Sequence, residues 1–195
     1  MKVLIACEES QRTCLAFRER GHKAFSCDIK PCSGGHPEWH IQRDAKRVLY
    51  ECDWDLVIAH PPCTYLSKVG APFAFPGGVR DETRWLKTLA AREFFMLFYN
   101  YRRSPIAIEN PIPFSGLLPP WDQIIQPYYF GDPYKKTTCL WLHDLPELVA
   151  TDLVVPEYSW TLKHSSPSIR SKTFPGVASA FAEQWGDGFG QKFLL

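Results

Sequence analysis

The sequence predicts an α/β fold built on a single Rossmann-like, doubly wound sheet. Three observations lead to it. Apolar runs from Lys2 to Cys7, Lys23 to Cys27, Leu56 to Ala59 and Ile106 to Ile108 have the length of buried strands, and stretches with helical spacing separate them. The first two runs flank a helical stretch within residues 1–28, which makes a strand-helix-strand unit with a right-handed crossover. Glu8, Asp28, Cys63 and Glu109 stand beyond the four runs, and a doubly wound sheet gathers such ends at one ligand-binding edge.

The elements follow in order. Lys2 to Cys7 is a buried strand by its length and its Val-Leu-Ile content. Glu8-Glu9-Ser10 is a turn, and Ser10 is placed to cap a helix from about Gln11 to Arg20, with Cys14, Leu15 and Phe17 facing inward. Gly21 ends that helix. Lys23 to Cys27 is the second strand, with Asp28 at its end. Pro31 to Trp39 reads as loop, and Asp44 opens a brief helix through Tyr50. The strand from Leu56 must stop at His60, because Pro61 and Pro62 have no backbone N–H to donate.

Ser67 to Thr83 is rich in Gly and Pro and has no period, as in functional or mobile loops. Thr83 to Tyr101 is the strongest helix, with apolar positions at Trp85, Leu86, Leu89, Ala90, Phe94, Leu97 and Phe98. Ile106 to Ile108 is a buried strand ending in Glu109-Asn110-Pro111. Phe114 to Pro133 is irregular, Thr137 to Leu142 is a strand, and Asp144 to Thr161 is mostly loop. A last helix runs roughly from Val177 to Trp185.

The chain has 195 residues, which predicts one domain, here residues 1–195. Charged residues make up 22% and hydrophobic residues 45%, an ordinary globular balance. A net charge of +1 gives no global field that demands a nucleic acid or a membrane, although a local basic patch is compatible with it. The seven cysteines have no regular disulfide spacing, and the apolar run at the start is too short for a secretory signal. Reduced thiols and a cytoplasmic protein are expected, with no membrane-spanning run.

Cys63 is the candidate nucleophile. The two prolines stiffen the turn that carries it, and a thiol on a rigid turn at a strand end is positioned for attack. A buried structural cysteine is the alternative reading of that residue alone. Cys27, Cys32, His36 and His40 are zinc-ligand types in a Cys-x4-Cys-x3-His-x3-His run, but the spacing is not a common zinc pattern and no metal is expected.

In this order the motifs resemble the DNA (cytosine-5) methyltransferase family, in a short form of the phage and prophage type. Pro61-Pro62-Cys63-Thr64-Tyr65-Leu66-Ser67 matches the family's Pro-Pro-Cys-Gln-x-Phe-Ser loop at Pro61, Pro62, Cys63 and Ser67. Ile108-Glu109-Asn110-Pro111 is similar to its strand ending in Glu-Asn-Val. The stretch from Gly131 to Thr138 lies where the family has Gly-x-Pro-Gln-x-Arg-x-Arg, with Lys136 in place of the first arginine. Gly176-Val177-Ala178 looks like the last motif, which packs against the first strand.

The resemblance implies a class I S-adenosylmethionine-dependent methyltransferase fold and attack of a Cys63 thiolate on carbon 6 of cytosine. Addition there makes carbon 5 nucleophilic, and a Glu109 carboxyl group beside the ring stabilises the developing charge. It further implies that Asn110 holds the loop, that Lys136 supplies positive field, and that the partner is DNA or a nucleotide containing cytosine. S-adenosylmethionine would lie against Cys7, Glu8, Glu9, Ser10 and Pro61. Asp28 would grip its ribose, and Asp44 would accept from its adenine amino group.

Two departures keep other readings open. The family's first loop is rich in glycine, whereas Cys7-Glu8-Glu9-Ser10-Gln11 has none. Only residues 143–170 lie where the family carries a target-recognition domain, with Lys163, His164, Arg170 and Lys172 near Trp160. A catalytically diverged nucleotide- or nucleic-acid-binding protein, or a pyrimidine-modifying enzyme with another donor, fits the same residues.

Overall fold

The computed structural model describes residues 1–160 and 166–187. In chain order the elements are β1 (Lys2–Ala6), α1 (Arg12–Glu19), β2 (Lys23–Asp28), β3 (His40–Gln42), α2 (Ala45–Glu51), β4 (Leu56–Ala59), α3 (Ala71–Ala74), α4 (Glu82–Tyr99) and β5 (Ile106–Pro111). There follow β6 (Gln123–Ile125), β7 (Tyr134–Lys135), β8 (Thr138–His143), β9 (Tyr158–Ser159), α5 (Pro167–Arg170), α6 (Pro175–Phe181) and a π-helical turn at Ala182–Asp187.

Seven strands form one sheet in the order β3-β2-β1-β4-β5-β8-β6, and β7 pairs with β9 separately. The strands from β3 to β5 are parallel, whereas β8 runs antiparallel to both β5 and β6. This is a single doubly wound, Rossmann-like α/β sheet, as the sequence predicts. Alternate residues of each central strand enter opposite layers. Leu4, Ala6, Val57, Ala59, Ile106 and Ile108 face α2 and α4 through Leu49, Phe95 and Phe98. Val3, Ile5, Leu56, Ile58 and Ala107 face α1 and α6 through Phe17, Val177 and Phe181. Trp185 closes the second layer, stacked on Phe181 at 4.7 Å between ring centroids.

Several sequence expectations need correction. The N-cap of α1 is Gln11, not Ser10, and its side chain makes no capping bond. The Glu8 carboxylate does that work: Oε1 accepts from the Thr13 N–H at 2.7 Å and Oε2 from that of Cys14 at 3.2 Å. Leu15 is only partly buried, while Cys14 and Phe17 are sealed in the core. Helix α4 starts at Glu82, with the Asp81 side chain accepting from Arg84 N. It buries Thr88, Phe95 and Phe98, whereas Leu86 and Leu89 are exposed, because its apolar residues run almost all round and only contact with the sheet selects a face.

The strands β3 and β6 have three residues each, too few to show a period, and exist through pairing with β2 and β8. Glu109 and Asn110 lie inside β5, because β8 pairs with it as far as Pro111. The segment from Ser67 to Thr83 holds α3 and two short 3-10 turns. Lys163 and His164 lie outside the described residues. Among the described residues no helix is long and apolar enough to cross a membrane.

Helix α6 is seated by a close approach at Gly176. Its N–H donates to Asp132 Oδ2 at 2.9 Å, and a Cβ there would collide with the Phe130 carbonyl oxygen. Gly176→Ala is therefore expected to destabilise the protein by about 1–3 kcal/mol, since overpacking forces the backbone to shift. Urea unfolding should show a lower midpoint with an unchanged slope.

Candidate active site

The parallel register brings the strand ends level. Ala6 pairs with Ala59, Ala59 with Ile108 and Ala6 with Cys27. One residue further on, Asp28, Cys7, His60 and Glu109 form a row across the carboxyl edge of the sheet. His60 Nδ1 lies 3.2 Å from Glu109 Oε2, with side chains only 10% and 15% exposed. In the sequence His60 marks only the end of a strand; the signal for more is a titratable residue closing an apolar run just before two prolines.

The cysteine turn is held from both sides. Asn110 Nδ2 donates to the Pro61 carbonyl at 2.7 Å, and Asn110 itself is 1% exposed. The N–H groups of Leu66 and Ser67 both donate to the Cys63 carbonyl at 3.0 Å, closing a tight turn. Leu66 is fully buried, and the stretch beyond it bonds to residues 112–114, with Phe114 N donating to Leu66 O and Lys68 N to Ile112 O. Cys63 is half-buried at the same edge as Glu109.

Their charges act on each other. Burial pushes the Cys63 thiol up from its ordinary value, and the nearby Glu109 carboxylate pushes it further; Lys136 and Arg170 pull it back. Burial also raises Glu109, but the hydrogen bond from His60 and the charge of Lys136 outweigh it and leave the carboxyl below its usual range. Glu109 is thus an anion at neutral pH. Lys136 sits 5.7 Å from the centre of the Phe174 ring, and its backbone N–H is fixed by Gln126 Oε1 at 3.0 Å. Arg170, read in the sequence as one of a loop's basic residues, reaches this site through α5.

The first loop differs from the expectation. Cys7 and Gln11 have φ of 62° and 59°, so two non-glycine residues hold the left-handed conformation at a cost of roughly 1–2 kcal/mol each. Glu8 is buried, and both of its oxygens serve α1, so it has no free edge for a cofactor. Burial raises its carboxyl, against the lowering by His60 and by the Thr13 and Cys14 N–H groups. Glu9 and Ser10 lie under the segment 31–36: Ser33 N donates to Glu9 O at 2.9 Å, Ser33 Oγ to Glu9 Oε2 at 3.1 Å, and Gly34 abuts Ser10 O and Gln11.

Asp28 is partly exposed and accepts from Lys30 N, and Asp44 caps α2 by accepting from Lys46 N. Both carboxylates act on the Cys7 thiol, which is raised first by burial and then by their charge. Pro61 is buried and contributes its carbonyl to Asn110.

The Cys27/Cys32/His36/His40 run is dispersed. Cys27 donates to Arg43 O and Cys32 to Gln11 Oε1; His40 bonds to Ser26 and to Lys30 O, and His36 stacks on Trp39. Among the described residues no group of three or more His, Cys, Asp or Glu is arranged to hold a metal.

No protein-family model and no curated protein matches the chain. Solved structures do. A putative DNA modification methyltransferase encoded within an Escherichia coli prophage is 15% identical, covers 72% of this chain and 45% of its own, with a TM-score of 0.45. A methyltransferase of Entamoeba histolytica is 12% identical over 82% of this chain and 57% of its own, with a TM-score of 0.47. The Dnmt2 methyltransferase of S. pombe is 17% identical over 73% of this chain and 49% of its own, with a TM-score of 0.40. The chain spans about half the length of the solved structures it matches.

The charge balance at Cys63 gives a direct expectation. Glu109→Gln removes a charge that raises the thiol, and Lys136→Met removes one that lowers it. The pH midpoint for alkylation of Cys63 by iodoacetamide should fall by about one unit in the first variant and rise in the second. Peptide mass spectrometry at residue 63 reads the rate.

Proposed function

We propose that this chain is an S-adenosylmethionine-dependent DNA methyltransferase acting at carbon 5 of cytosine, in a short phage- or prophage-type form. The observation that carries the reading is the seating of the Cys63 turn against β5: Asn110 Nδ2 holds the Pro61 carbonyl at 2.7 Å, next to the largely buried Glu109. Residues 1–195 would act as one catalytic unit in the cytoplasm, with 143–170 as a shortened target-recognition region. A duplex target base would have to be extruded to reach Cys63.

The charges suggest how the proton moves. The Cys63 S–H bond breaks and its proton passes to the Glu109 carboxylate. The sulfur pair then forms a bond to carbon 6, and the ring takes up negative charge. Glu109, now a carboxylic acid, returns the proton to the ring nitrogen. Carbon 5 is left as an enamine carbon able to attack an electrophile. Neutralising Glu109 also removes the charge that opposes the thiolate, so the two events favour each other. Asn110 keeps the Cys63 turn in register with Glu109 through Pro61, and Lys136 with Arg170 favours the thiolate.

The edge residues fit S-adenosylmethionine at its nucleoside end. Asp28, Asp44 and Cys7 would hold it there, and when bound it supplies an electrophilic methyl group. The fit is poorer at the start of α1, where Glu8 already places a carboxylate on the free N–H groups. That self-supplied carboxyl group favours a second reading, a nucleotide- or nucleic-acid-binding protein on the same fold that performs no transfer.

DNA containing 5-fluorocytosine separates the two. Fluorine cannot leave carbon 5 as a proton does, so an active enzyme with S-adenosylmethionine should become covalently attached to the DNA and survive denaturing electrophoresis. Cys63→Ser should give no adduct, and Glu109→Gln should slow it by about 10²-fold. If the wild-type chain forms no adduct yet binds S-adenosylmethionine or DNA in calorimetry, the second reading takes its place.

A further inference from the structure

His60 has a place in the site that the nucleophile and the acid do not account for. It is the first residue beyond β4, on the side of the sheet shared by Glu109, and its neighbours Pro61 and Pro62 restrict how its backbone can relax. Its Nδ1 meets Glu109 Oε2 at 3.2 Å. Its Nε2 is buried without a hydrogen-bond partner among the described residues. A buried imidazole nitrogen left without a partner is unfavourable, so the orientation that places Nδ1 on Glu109 is maintained against a penalty.

The groups facing the pair come from every neighbouring element. Glu8, in the loop after β1, acts on His60 by charge. Lys136, just before β8, and Thr138, on β8, act on Glu109, and the Cys139 thiol of β8 is raised by burial and by the Glu109 charge. Cys63 lies beyond Glu109, under the influence of Lys136 and Arg170.

We propose that His60 is a positioning residue for Glu109: through Nδ1 it fixes the carboxylate beside Cys63 and keeps it a proton acceptor until a base arrives. The proposal rests on the reading of Glu109 as the carrier of the thiol proton. It adds that the carrier's readiness is set by a second buried side chain, which touches neither the thiol nor the ring. Protonation of Glu109 by the thiol converts the anion that His60 holds into a neutral acid. The carboxyl group is then free to turn its O–H toward the ring nitrogen.

Two measurements on the full chain test this. The first follows the Glu109 side-chain carboxyl by 13C NMR across pH in the free protein. His60→Ala should move its titration upward by about one unit, because the bond that favours the anion is gone while burial remains. His60→Asn, which can present an amide N–H near the Nδ1 position, should restore most of the shift. His60→Gln, whose amide reaches the Nε2 position instead, should not, and it replaces the alanine variant if that one does not fold. The second follows the rate of adduct formation with 5-fluorocytosine DNA. Its acidic limb should move upward with the same variants and vanish in Glu109→Gln.

An unmoved Glu109 titration in His60→Ala or His60→Gln overturns the proposal. So does an adduct rate that falls equally at all pH values, which is what a purely structural histidine would give. If the wild-type chain forms no adduct, the functional reading falls. The NMR titration still decides the pair, since it needs no substrate.

Discussion

Ala59 on β4 lies opposite Ile108 on β5, and the geometry of the site follows from that pairing. One residue beyond it, His60 and Glu109 come level on the same side of the sheet and meet at 3.2 Å. The next residue on β5, Asn110, points the other way and takes the Pro61 carbonyl. Two adjacent side chains of one strand thus secure two adjacent residues of its neighbour. A slip of one residue would exchange their faces and separate the thiol from its carboxylate. Core packing guards against it: Ile58 and Ala107 are buried in one layer, Ala59 and Ile108 in the other.

Burial and charge work against each other here. Burial at this edge pushes both acids up from their ordinary values. At Glu109 the hydrogen bond from His60 and the charge of Lys136 outweigh burial and leave the carboxyl below its usual range, whereas Cys63 stays raised despite Lys136 and Arg170. In the proposed reaction a single proton would serve both groups, leaving Cys63 and returning through Glu109.

The first loop holds left-handed backbone at two positions without glycine. Cys7 and Gln11 hold backbone angles that glycine takes without strain. The surroundings overdetermine them. Glu8 binds the start of α1, and the Gln11 side chain is clamped by His36, donating to its carbonyl at 2.8 Å and accepting from its N–H at 3.0 Å. Segment 31–36 is thereby stitched over the loop. The left-handed turns survive because the bonds around them outweigh the local strain.

Much of this was legible in the sequence. Apolar runs of strand length, a βαβ opening and a Pro-Pro-Cys turn determine the central strands, the sheet type and the placing of Cys63 and Glu109 at one edge, because strand burial and proline stereochemistry are local properties. Short-range pattern also marked Asp44 as a helix start and Gly21 as a helix end. What it could not supply were partners. The strands β3 and β6 exist only where a longer neighbour offers hydrogen bonds, and the buried face of α4 is chosen by the sheet from a helix apolar on most sides. Glu8 became an internal cap, and His60 the partner of Glu109, through registers between residues far apart in the chain. Long-range pairing is a property of the assembled sheet, so only the tertiary structure decided it.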